Sequence, residues 1–260
     1  GCFTCPDPHN TGDLSFTTTG PVMLAAGYEF DAGTGNLCAN CHMSRRAVDG
    51  QVKAGTLSSH FGAHHGPEAD LFLGVNGFEM PGKSYGSSAH TYVVQDSCVE
   101  CHLARPEGRY SLSGEVGGHS FYVKGEVHGA TKINAAACSS CHEDVGQDGE
   151  FFDIMAKADY DDDGTVENAQ AEVEGLLHLI VNEDGTGVLQ TSNPPAYRAD
   201  GSWNSTRGLE FPVEIVAAVW NYKYIEEDRS LGIHNTKYAV QLLMDTIGYF
   251  DSSFDMSTRP

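Results

Sequence analysis

The stretch Cys38-Ala39-Asn40-Cys41-His42 decides the architecture of this chain, because its spacing recurs twice. The repeats are Cys98-Val99-Glu100-Cys101-His102 and Cys138-Ser139-Ser140-Cys141-His142. Two thiols three positions apart, with a histidine directly after the second, form the attachment signature of c-type haem. The thiols form thioethers to the haem vinyl groups, and the histidine reaches the iron from one face. The three copies therefore predict several covalently bound haems.

All eight cysteines of the chain belong to pairs with this spacing. The fourth pair is Cys2 and Cys5, which Pro6 follows in place of histidine. Such cysteines could alternatively form two zinc sites, four disulfides or a redox dithiol. None of these alternatives explains why histidine follows three of the four pairs. We therefore predict four haem c groups, attached through Cys2, Cys5, Cys38, Cys41, Cys98, Cys101, Cys138 and Cys141.

The composition favours a loop-rich fold. The 260 residues include 30 glycines and 10 prolines, and all four cysteine pairs lie before residue 142. This length is too short to enclose each haem in its own domain, so packed haems would replace side chains in much of the core. We predict a multihaem cytochrome c fold with few short helices, little sheet and a core built largely from stacked haems.

The character of the sequence changes near residue 150. Residues 1–150 contain every cysteine and are predicted to form the haem-binding region. Residues 151–260 place apolar residues at helix spacing and are predicted to form a helical buttress. The first predicted helix covers Val173–Val181, and the second starts after Pro212 and is ended by Glu226–Asp228. The third begins at about Asn235, its N-cap.

The net charge of −21 argues against nucleic acid and against an anionic membrane surface as partners. No stretch is long and apolar enough to span a bilayer, so we expect no transmembrane segment. The chain starts at Gly1 without methionine or an apolar signal, and we expect a signal peptide to have been removed. Because haem is attached covalently outside the cytoplasm, we expect a periplasmic or extracellular protein.

Histidine is available for the iron ligands. A haem that transfers electrons usually has two strong axial ligands, so four haems with histidine on both sides need eight histidines. The chain has 12, of which the motifs provide His42, His102 and His142. His178 lies away from the apolar face of its predicted helix, so we predict that it is a surface residue. For His128 the sequence favours neither a ligand nor a surface role. The remaining candidates are His9, His60, His64, His65, His90, His119 and His234.

The first haem differs from the others because Pro6 cannot bind iron. His9 lies four residues after Cys5 and is the nearest substitute, either for this haem or for an adjacent one. If no residue replaces the histidine, this iron keeps an open coordination position. Such a position is what a reductase would need.

An acidic stretch resembles the first half of an EF-hand calcium loop. Asp159, Asp161 and Asp163 occupy positions 1, 3 and 5, with Gly164 at position 6 and Thr165 at position 7. Position 12 is Gln170 rather than glutamate, and nearby alternatives are Glu167, Glu172 and Glu174. The stretch predicts a structural Ca2+ site, and the alternative is a solvated acidic turn that caps the next helix.

Several segments resemble the exported multihaem c-type cytochromes of metal-respiring bacteria and certain archaea. These segments are Phe61–Pro67 with Ala69-Asp70 and Gly74, Gly118–Phe121, Asp161–Glu167, and Gly232–Asn235 with Tyr238-Ala239. The resemblance implies that His64, His119 and His234 are distal haem ligands. The usual first motif of that family reads Cys-x-x-Cys-His-Asp-Pro-His, so here His9 matches and Pro6 departs from it.

Tetrahaem members of similar size polymerise into extracellular filaments, in which an axial histidine can come from the neighbouring subunit. The resemblance implies an electron-transfer protein that is not an enzyme, forms a homopolymer and exchanges electrons with other redox proteins or extracellular acceptors. A monomeric periplasmic or secreted electron shuttle is one alternative. Another is a multihaem reductase that uses the first haem on a small nitrogen or sulfur oxyanion, although no convergent Arg, Tyr and Lys set accompanies Cys2–His9.

Overall fold

The structure is a computed structural model that describes residues 20–107, 114–143, 145–146 and 149–260. Its chain divides into two compact units. Of the described residues, unit 1 comprises 20–22, 29–41 and those within 92–155, and unit 2 comprises 23–28, 42–91 and 156–260. The six described cysteines all belong to unit 1.

Helices and strands are short in the first half of the chain and longer near its end. In chain order the described elements are β1 (Val22–Met23), β2 (Glu29–Phe30), α1 (Asn36–Ala39), α2 (Val48–Lys53), α3 (Glu68–Leu73), α4 (His90–Val93), α5 (Cys98–His102), β3 (Lys124–Val127), β4 (Ala130–Ile133), α6 (Ala169–Ile180), α7 (Val188–Thr191), α8 (Val213–Asp228) and α9 (Thr236–Phe250). The 3-10 turns within the described residues are Gly33–Gly35, Gly118–Ser120 and Ala135–Ala137. For the described residues, this confirms the predicted loop-rich chain with few short helices and little sheet.

The strands form two sheets of two strands each, β1 with β2 and β3 with β4. β3 and β4 pair antiparallel, with Lys124 opposite Ile133 and Val127 opposite Ala130. The two residues that connect them, His128 and Gly129, both have positive φ, which suits the tight hairpin turn that matches the twist of the strands.

α8 is the central helix of unit 2, where α2, α3, α6, α7 and α9 pack around it. Trp220 and Tyr224 of α8 are fully buried, and so are Leu176 of α6 and Leu242 of α9. The sequence places the apolar residues of α8 at helix spacing, and the structure buries most of the circumference of this helix because short helices from earlier segments also pack against it. Unit 2 thus has a conventional side-chain core.

The three predicted C-terminal helices are confirmed, and polar caps set two of their starts. The side chain of Asn168 accepts hydrogen bonds from the N–H groups of Gln170 and Ala171 at the start of α6. The side chain of Asn235 accepts one from the N–H of Tyr238, as expected for the N-cap of α9. α8 ends where Arg229 adopts a left-handed conformation with φ of 60°.

Unit 1 buries few apolar side chains. Its buried hydrophobic residues, among those described, are Val22, Phe30, Leu37, Ala39, Val116, Val127, Ile133 and Phe152. None of them belongs to an extended hydrophobic cluster like the one around α8. Of the helices in the described part of the chain, none combines the length and the apolar character of a bilayer span.

Candidate haem attachment and axial-ligand site

The three described Cys-x-x-Cys-His motifs adopt helical turns. Cys98–His102 is the helix α5. The N–H of Cys41 donates to the carbonyl of Cys38 at 3.0 Å, and that of Cys141 donates to the carbonyl of Cys138 at 3.0 Å. Residues three apart lie on the same face of a helical turn, so each motif presents its two thiols side by side. This arrangement fits two thioether bonds to one macrocycle.

The six described cysteines differ in their exposure. Cys41 and Cys141 are exposed, and the other four are partly buried. Within the described residues, no cysteine belongs to a set of three or more histidine, cysteine, aspartate or glutamate side chains whose ligand atoms lie within 4.8 Å of one another. The helical turns of these three pairs fit haem attachment, which stays a prediction.

The turn before Cys38 packs against the turn before Cys98, both in unit 1. The N–H and hydroxyl of Thr34 donate to Asp96 Oδ1, each at 2.9 Å. An added Cβ at Gly35 would lie 1.8 Å from Ser97 Oγ, so this approach requires glycine. Ser97 is buried and has φ of 42°, a conformation that a non-glycine residue keeps only when its surroundings enforce it. These contacts fix the first two described attachment turns beside each other.

The second and third described attachment turns are also neighbours. Cys101 Sγ lies 3.9 Å from the carbonyl oxygen of Ala137, the residue directly before Cys138. Asn134 Nδ2 donates to the carbonyl of Ala104 at 2.8 Å, which holds the two segments together. Burial, and then the nearby Cys138, raises the pKa of the Cys101 thiol to about 11. Unit 1 therefore arranges its three described attachment turns in sequence order, each in contact with the next.

Two candidate ligands direct Nδ1 to a backbone carbonyl. His102 Nδ1 lies 2.7 Å from the carbonyl oxygen of Phe121 in unit 1. His90 Nδ1 lies 2.9 Å from the carbonyl oxygen of Ile233 in unit 2. A carbonyl only accepts, so Nδ1 carries the proton and Nε2 is the ring nitrogen with the lone pair for a metal. A hydrogen bond from the ring nitrogen that does not bind the metal is a common feature of metal-binding histidines.

Two other histidines direct Nδ1 to a carboxylate in unit 2. His234 Nδ1 lies 2.6 Å from Asp228 Oδ1. His42 Nδ1 lies 3.4 Å from Glu68 Oε2, an ion-pair distance rather than a short hydrogen bond. The first contact involves a fully buried carboxylate, whereas the side chains of the second are 62% and 24% exposed. The two histidines therefore have different electrostatic surroundings.

The structure brings His60, His64 and His65 together. The rings of His60 and His64 lie 6.1 Å apart, and those of His64 and His65 lie 5.4 Å apart. Partial burial, and then the positive charge of Arg45, lowers the pKa of His64, which favours the neutral imidazole that binds metals. The N–H of His65 donates to Glu227 Oε2 at 2.8 Å. That one or two of these three histidines ligate iron stays a prediction.

The remaining predicted ligands are placed as follows. His119 is exposed in the 3-10 turn Gly118–Ser120 of unit 1, and His142 is partly exposed after Cys141. His178, read from the sequence as a surface residue, is exposed on α6. Cys2, Cys5 and His9 lie outside the described residues.

The predicted calcium loop places its acidic side chains around the start of α6. Carboxylate oxygens of Asp159, Asp161 and Glu172 lie within 4.8 Å of one another, and so do those of Asp161, Asp163 and Glu167. Glu172 is fully buried and accepts hydrogen bonds from the N–H groups of Tyr160 and Glu167 at 2.6 and 2.8 Å. Burial, and then the charge of Glu172, raises the pKa of Asp161 to about 6.

Two details refine the sequence interpretation of this loop. Gln170, which stands at position 12, instead donates its side-chain N–H to the carbonyl of Ser230 at 3.0 Å, and Glu172 turns toward the aspartates. The cap of α6 is Asn168 rather than an aspartate of the loop. Thr165 is exposed, and its N–H donates to Asp163 Oδ1 at 2.7 Å. The loop aspartates are thus not needed as helix caps.

Sequence reasoning missed Asp228 and the carbonyl of Phe121 as partners of candidate ligands. Asp228 is the last residue of α8, and only the reversal of the chain over residues 229–233 returns it to His234. The one local signal was Gly232 beside His234. No fixed spacing identifies such a partner.

We compared the chain with protein families, curated proteins and solved structures. No family model matches the chain, and no curated protein matches it. Among solved structures, the chain is similar to the undecaheme cytochrome from the S-layer of Carboxydothermus ferrireducens, with a TM-score of 0.45 and 18% sequence identity. The similarity covers 98% of this chain and 32% of the other, so the chain spans about a third of that protein's length. Values this low do not establish a common fold.

Proposed function

We propose that the chain is a multihaem c-type cytochrome that transfers electrons along four covalently bound haems. The observation that carries the proposal is that the segments around successive described Cys-x-x-Cys pairs contact one another in unit 1. Thr34, before Cys38, bonds to Asp96, before Cys98, and Cys101 Sγ lies 3.9 Å from the carbonyl of Ala137, before Cys138. Attachment points this close keep bound cofactors near one another, which electron transfer requires.

The residues of the chain have three tasks in this proposal. Haem iron, when bound, supplies a one-electron couple. The paired thiols fix the attachment points, and the carbonyl of Phe121 fixes the orientation of His102. Few apolar side chains are buried in the described part of unit 1, which supports a core that macrocycles would complete. No side chain is assigned a catalytic role.

Intact mass spectrometry and pyridine haemochrome spectra of the secreted protein test the haem count. We expect four haems per chain, and one fewer after Cys138→Ser with Cys141→Ser. The matched control is Ser139→Ala with Ser140→Ala in the same motif, which leaves four. A protein without haem, or one whose mass shows zinc or four disulfides, would refute the proposal.

The finer proposal is that the chain is a subunit of an extracellular conductive filament. The resemblance of the segments around His64, His119 and His234 to exported multihaem cytochromes supports it, together with the four Cys-x-x-Cys pairs, which match the haem number of the tetrahaem filament members. Electron microscopy of native protein from the cell exterior tests it. Long regular filaments support it, whereas discrete particles favour the monomeric shuttle. Carbon monoxide binding by the reduced particles would favour the oxyanion reductase instead.

The acidic loop is proposed to bind Ca2+ as a structural clamp. Buried Glu172 and the half-buried Asp159 and Asp161 bring three carboxylates together, and Ca2+ would relieve their mutual repulsion. At a hundredfold excess over its dissociation constant, an ion that binds only the folded state stabilises it by about 2.7 kcal/mol. Calorimetry should show that Ca2+ raises the melting temperature of unit 2.

Glu172→Gln should abolish this gain, and Glu174→Gln is the matched control on the same helix because Glu174 joins neither carboxylate group. An equal response of both variants to Ca2+, or no change when a chelator is added to the unmodified protein, would exclude the clamp.

A further inference from the structure

His234 and Asp228 form a hydrogen bond that is largely shielded from water. His234 Nδ1 lies 2.6 Å from Asp228 Oδ1, at the junction of α8 and α9. The carboxylate of Asp228 is fully buried, and the imidazole is 22% exposed. Low water access strengthens an electrostatic hydrogen bond of this kind. The pair therefore fixes the ring of His234 and its protonated nitrogen.

The position of Asp228 is unfavourable for stability. Asp228 is the last residue of α8, where the negative end of the helix dipole repels a carboxylate. Burial removes the carboxylate from water as well. The turn that follows contains two non-glycine residues with positive φ, Arg229 at 60° and Leu231 at 50°. Such strain at a buried charge points to a functional constraint.

Ser230 holds the carboxylate in place. Its N–H donates to Asp228 Oδ2 at 3.2 Å, and its hydroxyl donates to the same oxygen. The N–H of His234 donates to Ser230 Oγ at 3.3 Å. One carboxylate oxygen thus faces Ser230 and the other faces the imidazole. The strained turn orients Asp228 toward His234.

We propose that Asp228 is a positioning residue that makes His234 an unusually basic axial ligand and lowers the midpoint potential of the haem that His234 ligates. The inference rests on the proposed function, in which His234 ligates iron through Nε2. A carboxylate attracts the Nδ1 proton more strongly than a carbonyl does, which increases the electron density on the ring. Greater electron donation stabilises the ferric form, because that form carries the larger positive charge.

The other oriented histidines provide the internal reference. His90 and His102 donate to carbonyls, and the contact of His42 with Glu68 is longer and more exposed. The contact of His234 with Asp228 is short and joins a fully buried carboxylate, unlike these contacts of the other three. The haem ligated by His234 therefore has a lower potential than it would have with a neutral acceptor.

Spectroelectrochemical titration of the haem-loaded full chain tests the proposal. Asp228→Asn keeps an acceptor at His234 Nδ1 and removes the charge, so the potential of one haem should shift in the positive direction while all haems stay low-spin. A tenfold change in the reduction equilibrium corresponds to about 59 mV for a one-electron couple. Ser230→Ala should shift the same haem in the negative direction, because Asp228 then loses a hydrogen-bond donor.

Asp245→Asn is the matched control. Asp245 is another nearly fully buried carboxylate of unit 2, but it bonds to Tyr85 and Arg259 and to no histidine. Its variant should change the melting temperature and leave every haem potential in place. Unchanged potentials in both Asp228→Asn and Ser230→Ala would overturn the role of Asp228. If Asp228→Asn does not load haem, the Ser230→Ala variant decides: a negative shift of one haem potential supports the role of Asp228, and no shift or a positive one overturns it.

His234→Met separates failure of this inference from failure of the ligand assignment. If it changes the spectrum and potential of one haem while the Asp228 and Ser230 variants change nothing, His234 is a ligand and only the inference fails. If His234→Met leaves every haem unchanged, His234 is not a ligand. The ligand assignment and the proposed effect of Asp228 on the haem potential then both fail.

Discussion

Unit 2 buries many apolar side chains, whereas the described part of unit 1 buries few. Unit 2 packs α6, α8 and α9 around side chains such as Trp220 and Leu242, and it has a continuous hydrophobic core. The described part of unit 1 carries six cysteines but has no comparable cluster. A compact protein unit must remove apolar surface from water to offset the entropy of ordering its chain. We infer that the missing burial in unit 1 comes from covalently attached haem.

Preventing haem attachment should have the largest effect. A variant in which Cys38, Cys41, Cys98, Cys101, Cys138 and Cys141 are all alanine lacks the apolar material that unit 1 needs. We expect hydrogen exchange at β3, β4 and α5 to accelerate by orders of magnitude, while α6, α8 and α9 stay protected. An equal loss of protection from hydrogen exchange in both units, or retained protection in unit 1, would contradict the inference that haem supplies the burial in unit 1.

Trp220→Ala should have the next largest effect and should act in unit 2 with or without haem. Trp220 is fully buried in α8, and its Nε1 donates to the carbonyl of Asn76 at 2.7 Å. Truncating a buried tryptophan removes about 3–5 kcal/mol of stability. Denaturant unfolding followed at unit 2 measures the loss. Val213→Ala, at a 49% exposed position of the same helix, should change stability by no more than about 0.5 kcal/mol.

The contrast between the units also shows which features a sequence can reveal. α6, α8 and α9 were predictable because apolar spacing and a cap such as Asn235 are local properties of the chain. The burial of α8 on most of its faces was not predictable, since α2 and α3, which cover it, are six-residue helices without a clear periodic pattern. A long helix can be predicted from the pattern of its own residues, whereas the short helices that pack against it cannot.

The candidate site divides in the same way. The candidate attachment cysteines and their following histidines could be proposed from the sequence, because two thioethers to one macrocycle would require a fixed spacing in the chain. The partners that orient the ligands were not evident, because Asp228 reaches His234 only through the turn at residues 229–233. In the acidic loop, Glu172 turns toward the aspartates although the motif places its glutamate at Gln170. A contact that depends on the path of a turn cannot be predicted from the spacing of residues in the sequence.

Gly35→Ala should have the smallest of these effects and should sharpen the account of unit 1. Gly35 has ordinary helical φ and ψ, so alanine creates no backbone strain there. Its Cβ would instead collide with Ser97 Oγ, and overpacking of this kind costs about 1–3 kcal/mol. The collision separates the turns before Cys38 and Cys98, and we expect slower electron exchange between the haems attached there, measured by transient absorption after photoreduction. Gly20→Ala, also in unit 1, has no atom within 4 Å of the added Cβ and serves as the control. Unchanged exchange in Gly35→Ala would mean that this packing does not set the spacing of the first two described attachment sites.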